Sequence, residues 1–504
     1  MVRAEVDGGG EEACLALDTP LRSHDLRVTA ATLADNASDM ERVLRALPDP
    51  VATVDIAAAR QLPTALRAGD WSVRARVNGT ELIGVAALGS ATLGLAVDLG
   101  TTNVAAFLVD LDSGRRLASL GIENPQVAWG ADLISRINYA VKSPAAAAEL
   151  RAAALAAINA LAHDLCQAVG ASSADIVDVV ICGNTAMHHI LLALPVFQLG
   201  RAPFVAALRA GVDIKARELG LAVCPGAYVH VTANVGGFVG GDHVAALLAT
   251  ESQWGEVATS LVMDIGTNTE ISLIHQGAIL SASCPSGPAL EGGHISCGMR
   301  AAEGAIERVG FADGAITVHV IGGGDPVGLC GSGVLDALAT MHSAGMVNDG
   351  GRIESGHPRV SEVAGQRVAV LAPGVNFTQD DVRSVQLAKA AIRSGVELLL
   401  KLAGLREQDI VRFIIAGAFG AYIAVDSGVA TGLFPDLPRE RFLQVGNAAG
   451  VGVRQMLSSR RARARATALA ANCRYIELST LAGFQKAFMK HIGFNAGTSS
   501  GTPS

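Results

Sequence analysis

Residues 93–112 read LGLAVDLGTTNVAAFLVDLD, two apolar runs joined by the polar segment DLGTT. The pattern predicts a strand, a tight turn and a second strand, with Gly100 at the turn because glycine permits backbone angles that other residues rarely adopt. The amides and hydroxyls of Thr101 and Thr102 can surround an anion there. Asp98, at the end of the incoming strand, can hold a hydrated divalent cation against that anion. The stretch therefore indicates a phosphate-binding hairpin.

The chain repeats this pattern. Residues 261–274 read LVMDIGTNTEISLI, which puts Asp264 in the position of Asp98, 166 residues later. A second pair of matching segments, DIVDVVICGN from Asp175 and DIVRFIIAGA from Asp409, is separated by 234 residues. Two motifs in the same order, twice, predict a duplicated α/β unit. The larger second offset indicates an insertion of about 68 residues in the second unit.

Composition limits the class of protein. Of 504 residues, 50% are hydrophobic, 17% are charged and 57 are glycine, which indicates two or three well-buried domains rather than a disordered chain. A net charge of −8 argues against nucleic-acid binding. The first residues lack a basic segment followed by an apolar core, so no signal peptide is predicted and we expect a cytoplasmic protein. No segment is predicted to span a membrane, since the uncharged stretch 221–241 contains a proline, a histidine and several glycines.

The motifs divide the chain into four parts. Residues 1–92 read as a small α+β module with a helix near 39–47 and a hairpin that turns at Asn78-Gly79, suited to docking or spacing. Residues 93–255 and 256–490 are predicted to be the two duplicated domains, and 491–504 a flexible tail.

Three further stretches leave alternatives open. The adjacent His188 and His189 are predicted to pack in the protein rather than to share a metal ion. A glycine-dense block after the second hairpin contains Glu291 and His294, which suit either a lined cleft or a structural role, and a helix is predicted near Ala301. The arginine-rich helix predicted over 454–465 is expected to present a solvated face.

The two hairpins, followed by a late strand-to-turn GAFG segment, resemble the actin, sugar kinase and Hsp70 superfamily of ATPases, in which two RNase H-like domains hold Mg-ATP. The resemblance implies that Asp98 and Asp264 are the catalytic carboxylates and the Mg²⁺ ligands. It also implies nucleotide-binding residues in three groups: Gly100, Thr101 and Thr102; Gly266, Thr267 and Asn268; and, around adenosine, Gly417, Ala418, Phe419 and Gly420.

A narrower resemblance runs from about residue 15 to 490. It is to the reductive activators of corrinoid proteins, and it rests on VDLGTTNVAAFLVDL, ENPQVAWGADLISRINYA, VICGNTAMHHILLALP, DIGTNTEISL, EGGHISCGMRA, CGSGVLDAL and IIAGAFGAYI. Those activators use ATP to help pass an electron to a corrinoid cofactor that has lapsed from Co(I) to Co(II). The resemblance implies an ATPase with a corrinoid protein as partner, and a linker domain in the opening module.

The chain differs from that family in the part that would carry the electron. Its characterised members carry an iron–sulfur domain with a C-x4-C-x2-C run ahead of the linker, whereas Cys14 is the only cysteine before residue 100 here. None of the eight cysteines shows C-x-x-C, zinc or ferredoxin spacing, so free thiols and no iron–sulfur cluster are expected in this chain. A separate ferredoxin-type donor would then supply the electron, unless the natural N-terminus is absent or activation is not the function.

Two other functions stay open on the sequence alone. A small-molecule kinase of the same superfamily needs a base for a substrate hydroxyl, which no motif assigns. A non-redox, chaperone-like binding module would use nucleotide to switch domain closure. The oligomeric state, including a homodimer, is also left open.

Overall fold

The structure, a computed structural model, describes residues 5–6, 17–312, 314–363, 365–417 and 420–494. The described residues fall into two compact units. The first unit comprises Met1–Ala249 with Ala449–Ala471, and the second comprises Thr250–Ala448 with Asn472–Ser504.

The opening module contains a four-stranded sheet of order β2-β4-β5-β3 with two helices packed on it. Its elements are β2 (Leu21–Arg27), α1 (Asp39–Ala46), β3 (Thr53–Val54), α2 (Ile56–Ala68), β4 (Ser72–Asn78) and β5 (Glu81–Ala86), whereas β1 (Glu5–Val6), which precedes them in the chain, pairs with a strand of the next sheet. Ser38 begins α1 with a capping box, because its hydroxyl accepts from the Glu41 amide while the Glu41 carboxylate accepts from the Ser38 amide. The predicted helix and hairpin are confirmed.

The rest of the first unit is built on a seven-stranded sheet of order β1-β8-β7-β6-β9-β11-β10. Its elements are β6 (Leu93–Leu99), β7 (Asn103–Asp110), β8 (Arg116–Glu123), α3 (Leu133–Ala140), α4 (Pro144–Ala168), β9 (Ile176–Gly183), α5 (Thr185–Leu191), β10 (Val212–Lys215), α6 (Ala216–Leu219), β11 (Tyr228–Val231) and α7 (Gly241–Ala249).

The second unit contains a six-stranded sheet and two three-stranded sheets. The remaining elements of the chain are α8 (Glu251–Trp254), β12 (Thr259–Ile265), β13 (Thr269–His275), β14 (Ala278–Cys284), β15 (Ala305–Ala312), β16 (Ala315–Val320), β17 (Gly328–Leu329), α9 (Gly331–Ser343), β18 (Val360–Val363), β19 (Gln366–Ala372), β20 (Val375–Thr378), α10 (Gln379–Ala403), β21 (Arg412–Ala416), α11 (Val425–Ala430), β22 (Phe442–Gly446), α12 (Ala448–Ser458), α13 (Arg460–Asn472), β23 (Cys473–Tyr475) and α14 (Phe484–Lys490).

The two large sheets repeat the same topology. In the first, β8, β7 and β6 are antiparallel neighbours, and β9 and β11 continue the sheet parallel to β6. In the second, β14, β13 and β12 are antiparallel neighbours, and β21 and β22 continue parallel to β12. The predicted duplicated α/β fold is therefore confirmed. The two small sheets, β16-β15-β17 and β18-β19-β20, lie in the chain between β14 and α10, where the second copy is longer than the first.

Helix α4 is the one helix of the described residues that is long and apolar enough to span a membrane by length and composition. In the structure it is a core helix of the first unit. Leu150, Ile158, Leu161 and Leu165 on one of its faces are almost fully buried, and the helix packs against β7 and β8.

Two local predictions are wrong. Residues 301–304 form bends and turns rather than a helix, and the preceding helical turn is a short 3-10 segment at Pro288–Glu291. The arginine-rich stretch is divided between α12 and α13, and Ala449–Ala471 packs with the first unit although the sequence places it in the second duplicated domain. Arg461 on α13 is solvated as expected, but Arg463 is not, because its guanidinium pairs with the buried carboxylate of Asp178.

Candidate functional site

The first predicted loop lies at the turn between β6 and β7. Asp98 is half-buried at the last position but one of β6, Leu99 and Thr101 are buried, and Gly100 and Thr102 are half-buried. A Cβ atom on Gly100 would lie 2.7 Å from the carbonyl oxygen of Asn103, so the turn closes only with glycine at this position.

All three carbonyl groups of this turn are held from one side. The carbonyl oxygens of Gly100 and Thr102 accept hydrogen bonds from the side-chain and backbone nitrogens of Asn124, each at 2.8 Å, and that of Thr101 accepts one from the buried guanidinium of Arg136. Each peptide group directs its N–H away from its C=O. The amides that follow these carbonyls therefore point away from Asn124 and Arg136, as an anion-binding turn requires.

The hydroxyl of Thr101 is oriented by Asn184. The Asn184 side-chain oxygen accepts from the amide of Met187 at 3.0 Å and thereby caps α5, so its Nδ2 faces Thr101 and donates to Oγ1 at 2.8 Å. Because Oγ1 is the acceptor in this bond, the hydroxyl hydrogen of Thr101 can be donated elsewhere.

A second carboxylate, missed by the sequence analysis, lies near Asp98. Burial, together with repulsion from Asp242, raises the pKa of Asp98 to about 7, although the thiol of Cys182 donates to Asp98 Oδ1 at 3.7 Å. Burial also raises the pKa of Asp242, in the first turn of α7, to about 6. Two neighbouring carboxylates in such surroundings favour a bound cation. The sequence signal for Asp242 was the Gly-Gly-Asp segment after β11, which was not linked to Asp98.

The second predicted loop, between β12 and β13, reproduces the burial pattern of the first. Asp264, Gly266 and Asn268 are half-exposed, whereas Ile265 and Thr267 are buried. The amide of Gly266 donates to the carbonyl of Asn268 at 3.2 Å, which closes the turn.

The hydroxyl of Thr267 has a different partner from that of Thr101. It donates to Oε2 of Glu291 at 2.8 Å. Burial raises the pKa of Glu291, and the hydrogen bond from Thr267 and the charge of Arg300 oppose that rise. Glu291, which the sequence left between a cleft and a structural role, therefore contacts the second loop directly.

The predicted adenosine segment starts where β21 ends. Gly417 has φ +96°, and a Cβ atom there would lie 2.3 Å from the carbonyl oxygen of Ile265 and 3.1 Å from Oδ1 of Asp264. Gly420 begins a short 3-10 turn, and its carbonyl accepts from Gln444 Nε2 at 2.7 Å. Ala418 and Phe419 lie outside the described residues.

The adjacent histidines pack in the core, as predicted. His188 and His189 are buried, and burial lowers the pKa of both imidazoles, that of His188 to about 3. The Nε2 atom of His189 accepts from the amide of Ala207 at 2.9 Å, so its Nδ1 carries the proton and donates to the carbonyl of Thr185 at 2.7 Å. In the described part of the chain no three His, Cys, Asp or Glu side chains are grouped as a metal site. A hydrated Mg²⁺ needs only one or two carboxylates, since it usually keeps several waters.

Comparison with known proteins agrees with this arrangement. A family model described as the C-terminal domain of RACo, the ASKHA domain, matches residues 258–503, and models of the RACo middle region and RACo linker region match 93–253 and 10–89. The corrinoid activation enzyme RamQ of Eubacterium limosum is 35% identical over 418 residues, which cover 80% of this chain and 70% of RamQ. The chain belongs to the RACo family.

Two further proteins are similar to this chain. A solved structure of a reductive activator for a corrinoid, iron–sulfur protein matches with a TM-score of 0.85 and 33% identity, over 98% of this RACo-family chain and 81% of the other. The [Co(II) methylated amine-specific corrinoid protein] reductase of Methanosarcina barkeri is 29% identical over 231 residues, which cover 42% of this chain and 40% of the reductase. The predicted family and the α/β fold are both confirmed.

Proposed function

We propose that this protein is an ATP-dependent reductive activator that helps return the cobalt of a corrinoid protein from Co(II) to Co(I). The observation that carries the proposal is the pair of hairpin loops, each held by hydrogen bonds, after β6 and after β12. The chain that contains them matches the linker, middle and ASKHA regions of RACo in order. Its likeness to RamQ supplies the class of partner, a corrinoid protein.

The residues present suit Mg-ATP. The turn amides after Gly100 and the hydroxyl of Thr101 are directed to bind phosphate oxygens, and the raised pKa values of Asp98 and Asp242 indicate carboxylates that a cation would stabilise in the ionised form. Asp264 is the corresponding carboxylate of the second loop. When bound, the magnesium ion would neutralise negative charge on the phosphates while the γ-phosphoryl group is transferred to water. At Gly417 the missing Cβ lets the end of β21 approach the Asp264 loop closely, which puts the start of the predicted adenosine segment beside that loop.

ATP must contribute something that the electron carrier lacks. Reduction of Co(II) is unfavourable while the corrinoid keeps its resting ligands, so the activator has to favour one state of its partner. A protein that binds that state more tightly in its ATP form shifts the partner's equilibrium by its difference in affinity, about 1.4 kcal/mol for each tenfold. The opening module is proposed to present the partner or the electron donor.

The electron is proposed to come from a separate ferredoxin-type protein. The full chain with Mg-ATP alone should therefore leave the absorption spectrum of a Co(II) corrinoid protein unchanged. Formation of Co(I) in that mixture, without an added reductant, would contradict the proposed division between activator and donor.

The protein is expected to hold no iron–sulfur cluster after anaerobic reconstitution with iron and sulfide. A cluster needs several thiolates in one place, and six of the seven cysteines of the described residues are buried, while Cys297 is half-buried. Burial also raises the pKa of the Cys166 thiol to about 11. Iron analysis and the absorption at about 420 nm, where thiolate-to-iron charge transfer is expected, check this. Stoichiometric iron with that absorption would show the expectation to be wrong.

A further inference from the structure

The equivalent threonines of the two loops have opposite hydrogen-bonding roles. Thr101 Oγ1 accepts from Asn184 at 2.8 Å, so its hydrogen is available to a phosphate oxygen. Thr267 donates its hydrogen to Glu291 at 2.8 Å, so toward any further group its oxygen can only accept. A hydroxyl that only accepts is a poor ligand for a phosphate oxygen, but it suits a hydrogen of a water molecule.

The chain holds Glu291 firmly in this position. Glu291 ends the 3-10 segment, and the next residue, Gly292, has φ +84°. A Cβ atom on Gly298 would lie 1.9 Å from the Gly292 carbonyl oxygen, and one on Gly293 would lie 2.6 Å from Cβ of Pro288. The segment is thus folded tightly upon itself through its glycines, and the Glu291 side chain that it supplies is half-buried.

Backbone strain occurs in the same segment. His294 has φ +59°, a left-handed conformation that residues other than glycine rarely adopt. Such outliers persist where the surrounding structure enforces them, and they are concentrated at functional sites. The strain at His294 and the hydrogen bond from Thr267 to Glu291 are independent observations. Both indicate a functional role for the segment that carries Glu291.

We propose that Thr267 and Glu291 form a water-positioning pair for ATP hydrolysis, with Thr267 binding the attacking water and Glu291 acting through it. The proposal rests on the proposed ATPase function. It assigns the residues that position the attacking water, which neither hairpin motif identifies. It also makes the two loops unequal, because Thr101 is the phosphate donor and Thr267 the acceptor for water.

The chemical step balances without any other reactant. The water oxygen bonds to the γ-phosphorus as the bond from phosphorus to the leaving oxygen of ADP breaks. A proton passes from the water to Thr267 Oγ1 while the original hydroxyl proton passes to Glu291 Oε2. The products are ADP and inorganic phosphate, and Glu291 then returns its proton to solvent. Positioned proton transfer of this kind contributes about 10²–10⁴-fold to a rate.

The test compares variants of the full chain by steady-state phosphate release from Mg-ATP. Glu291→Gln and Thr267→Val should each lower kcat by about 10²-fold. KM should stay within about threefold, because the Thr267 hydroxyl and the Glu291 carboxylate are proposed to bind the attacking water, while the backbone of the Thr267 loop still contacts the nucleotide. Thr267→Ser keeps the hydroxyl and should retain kcat within about threefold. Since Glu291 acts through Thr267, the double variant Glu291→Gln/Thr267→Val should be no slower than either single variant.

Thermal unfolding and nucleotide binding of each variant separate the possible failures. Folded variants that bind Mg-ATP but turn over slowly support the pair. A Glu291→Gln variant with wild-type kcat, a Thr267→Ser variant as slow as Thr267→Val, or multiplicative losses in the double variant would overturn it while leaving the ATPase function intact. Absence of any phosphate release by the wild-type chain would instead remove the proposed ATPase function, and the pair with it.

Discussion

Replacement of Asp264 by alanine should abolish ATP hydrolysis and leave the fold intact. Asp264 is half-exposed at the end of β12, so its removal opens no core cavity. It does remove a charge proposed to hold Mg²⁺, and the loss of one such electrostatic contact typically lowers kcat by about 10²–10³-fold. Phosphate release measured over a range of Mg²⁺ concentrations, with circular dichroism of the same sample, checks both parts.

A matched control removes the same charge elsewhere in the second unit. Asp436 is 86% exposed and pairs with Arg439 at 3.3 Å, so Asp436→Ala should change the free energy of unfolding by less than about 0.5 kcal/mol. Its ATPase rate should equal that of the wild type. Full ATPase activity in Asp264→Ala, with normal circular dichroism, would count decisively against the assigned site.

The second large effect is expected at Gly417. Gly417→Ala places a methyl group 2.3 Å from the carbonyl oxygen of Ile265 and in a conformation, φ +96°, that alanine rarely adopts. Either β21 or the Asp264 loop must shift, at a cost of about 3 kcal/mol in the free energy of unfolding. A displacement of about 1 Å near reacting groups lowers rates about 10²-fold. Urea unfolding and phosphate release on one preparation measure both effects.

Gly404 provides the control for the conformational part of this effect. It ends α10 in a left-handed conformation with φ +69°, and nothing lies within 4 Å of its Cβ position. Gly404→Ala should therefore cost only about 1 kcal/mol and retain full activity. Equal losses of activity in Gly404→Ala and Gly417→Ala would show that the close approach to Asp264 is unimportant.

The fold was predictable because its determinants are local. Each hairpin is specified by two apolar runs joined by a glycine turn, and the repetition of Asp98 by Asp264 and of Gly183 by Gly417 identifies the duplication. The same local signals do not show which helix belongs to which unit. Helix α13 lies in the first unit, where Arg463 pairs with Asp178, a residue 285 positions earlier in the sequence.

The contacts that support the site depend on distant residues in the same way. Nothing in the DLGTT segment indicates that Asn124 and Arg136 hold its carbonyl groups, or that Asn184 orients Thr101. The opposite roles of Thr101 and Thr267 could not be predicted either, since the two segments are nearly identical in sequence and differ only in the partners that the fold brings to them.

ATP-dependent reduction of a corrinoid protein can be followed in a single mixture. A Co(II) corrinoid protein and a reduced low-potential ferredoxin are mixed with the full chain, and the Co(I) spectrum is followed with Mg-ATP, with Mg-ADP and with the Asp264→Ala variant. We expect Co(I) to form faster with the wild-type chain and Mg-ATP than in either other mixture. Equal rates of Co(I) formation with ATP, with ADP and with the variant, in the presence of the cognate corrinoid protein, would show that the protein is not an ATP-dependent activator.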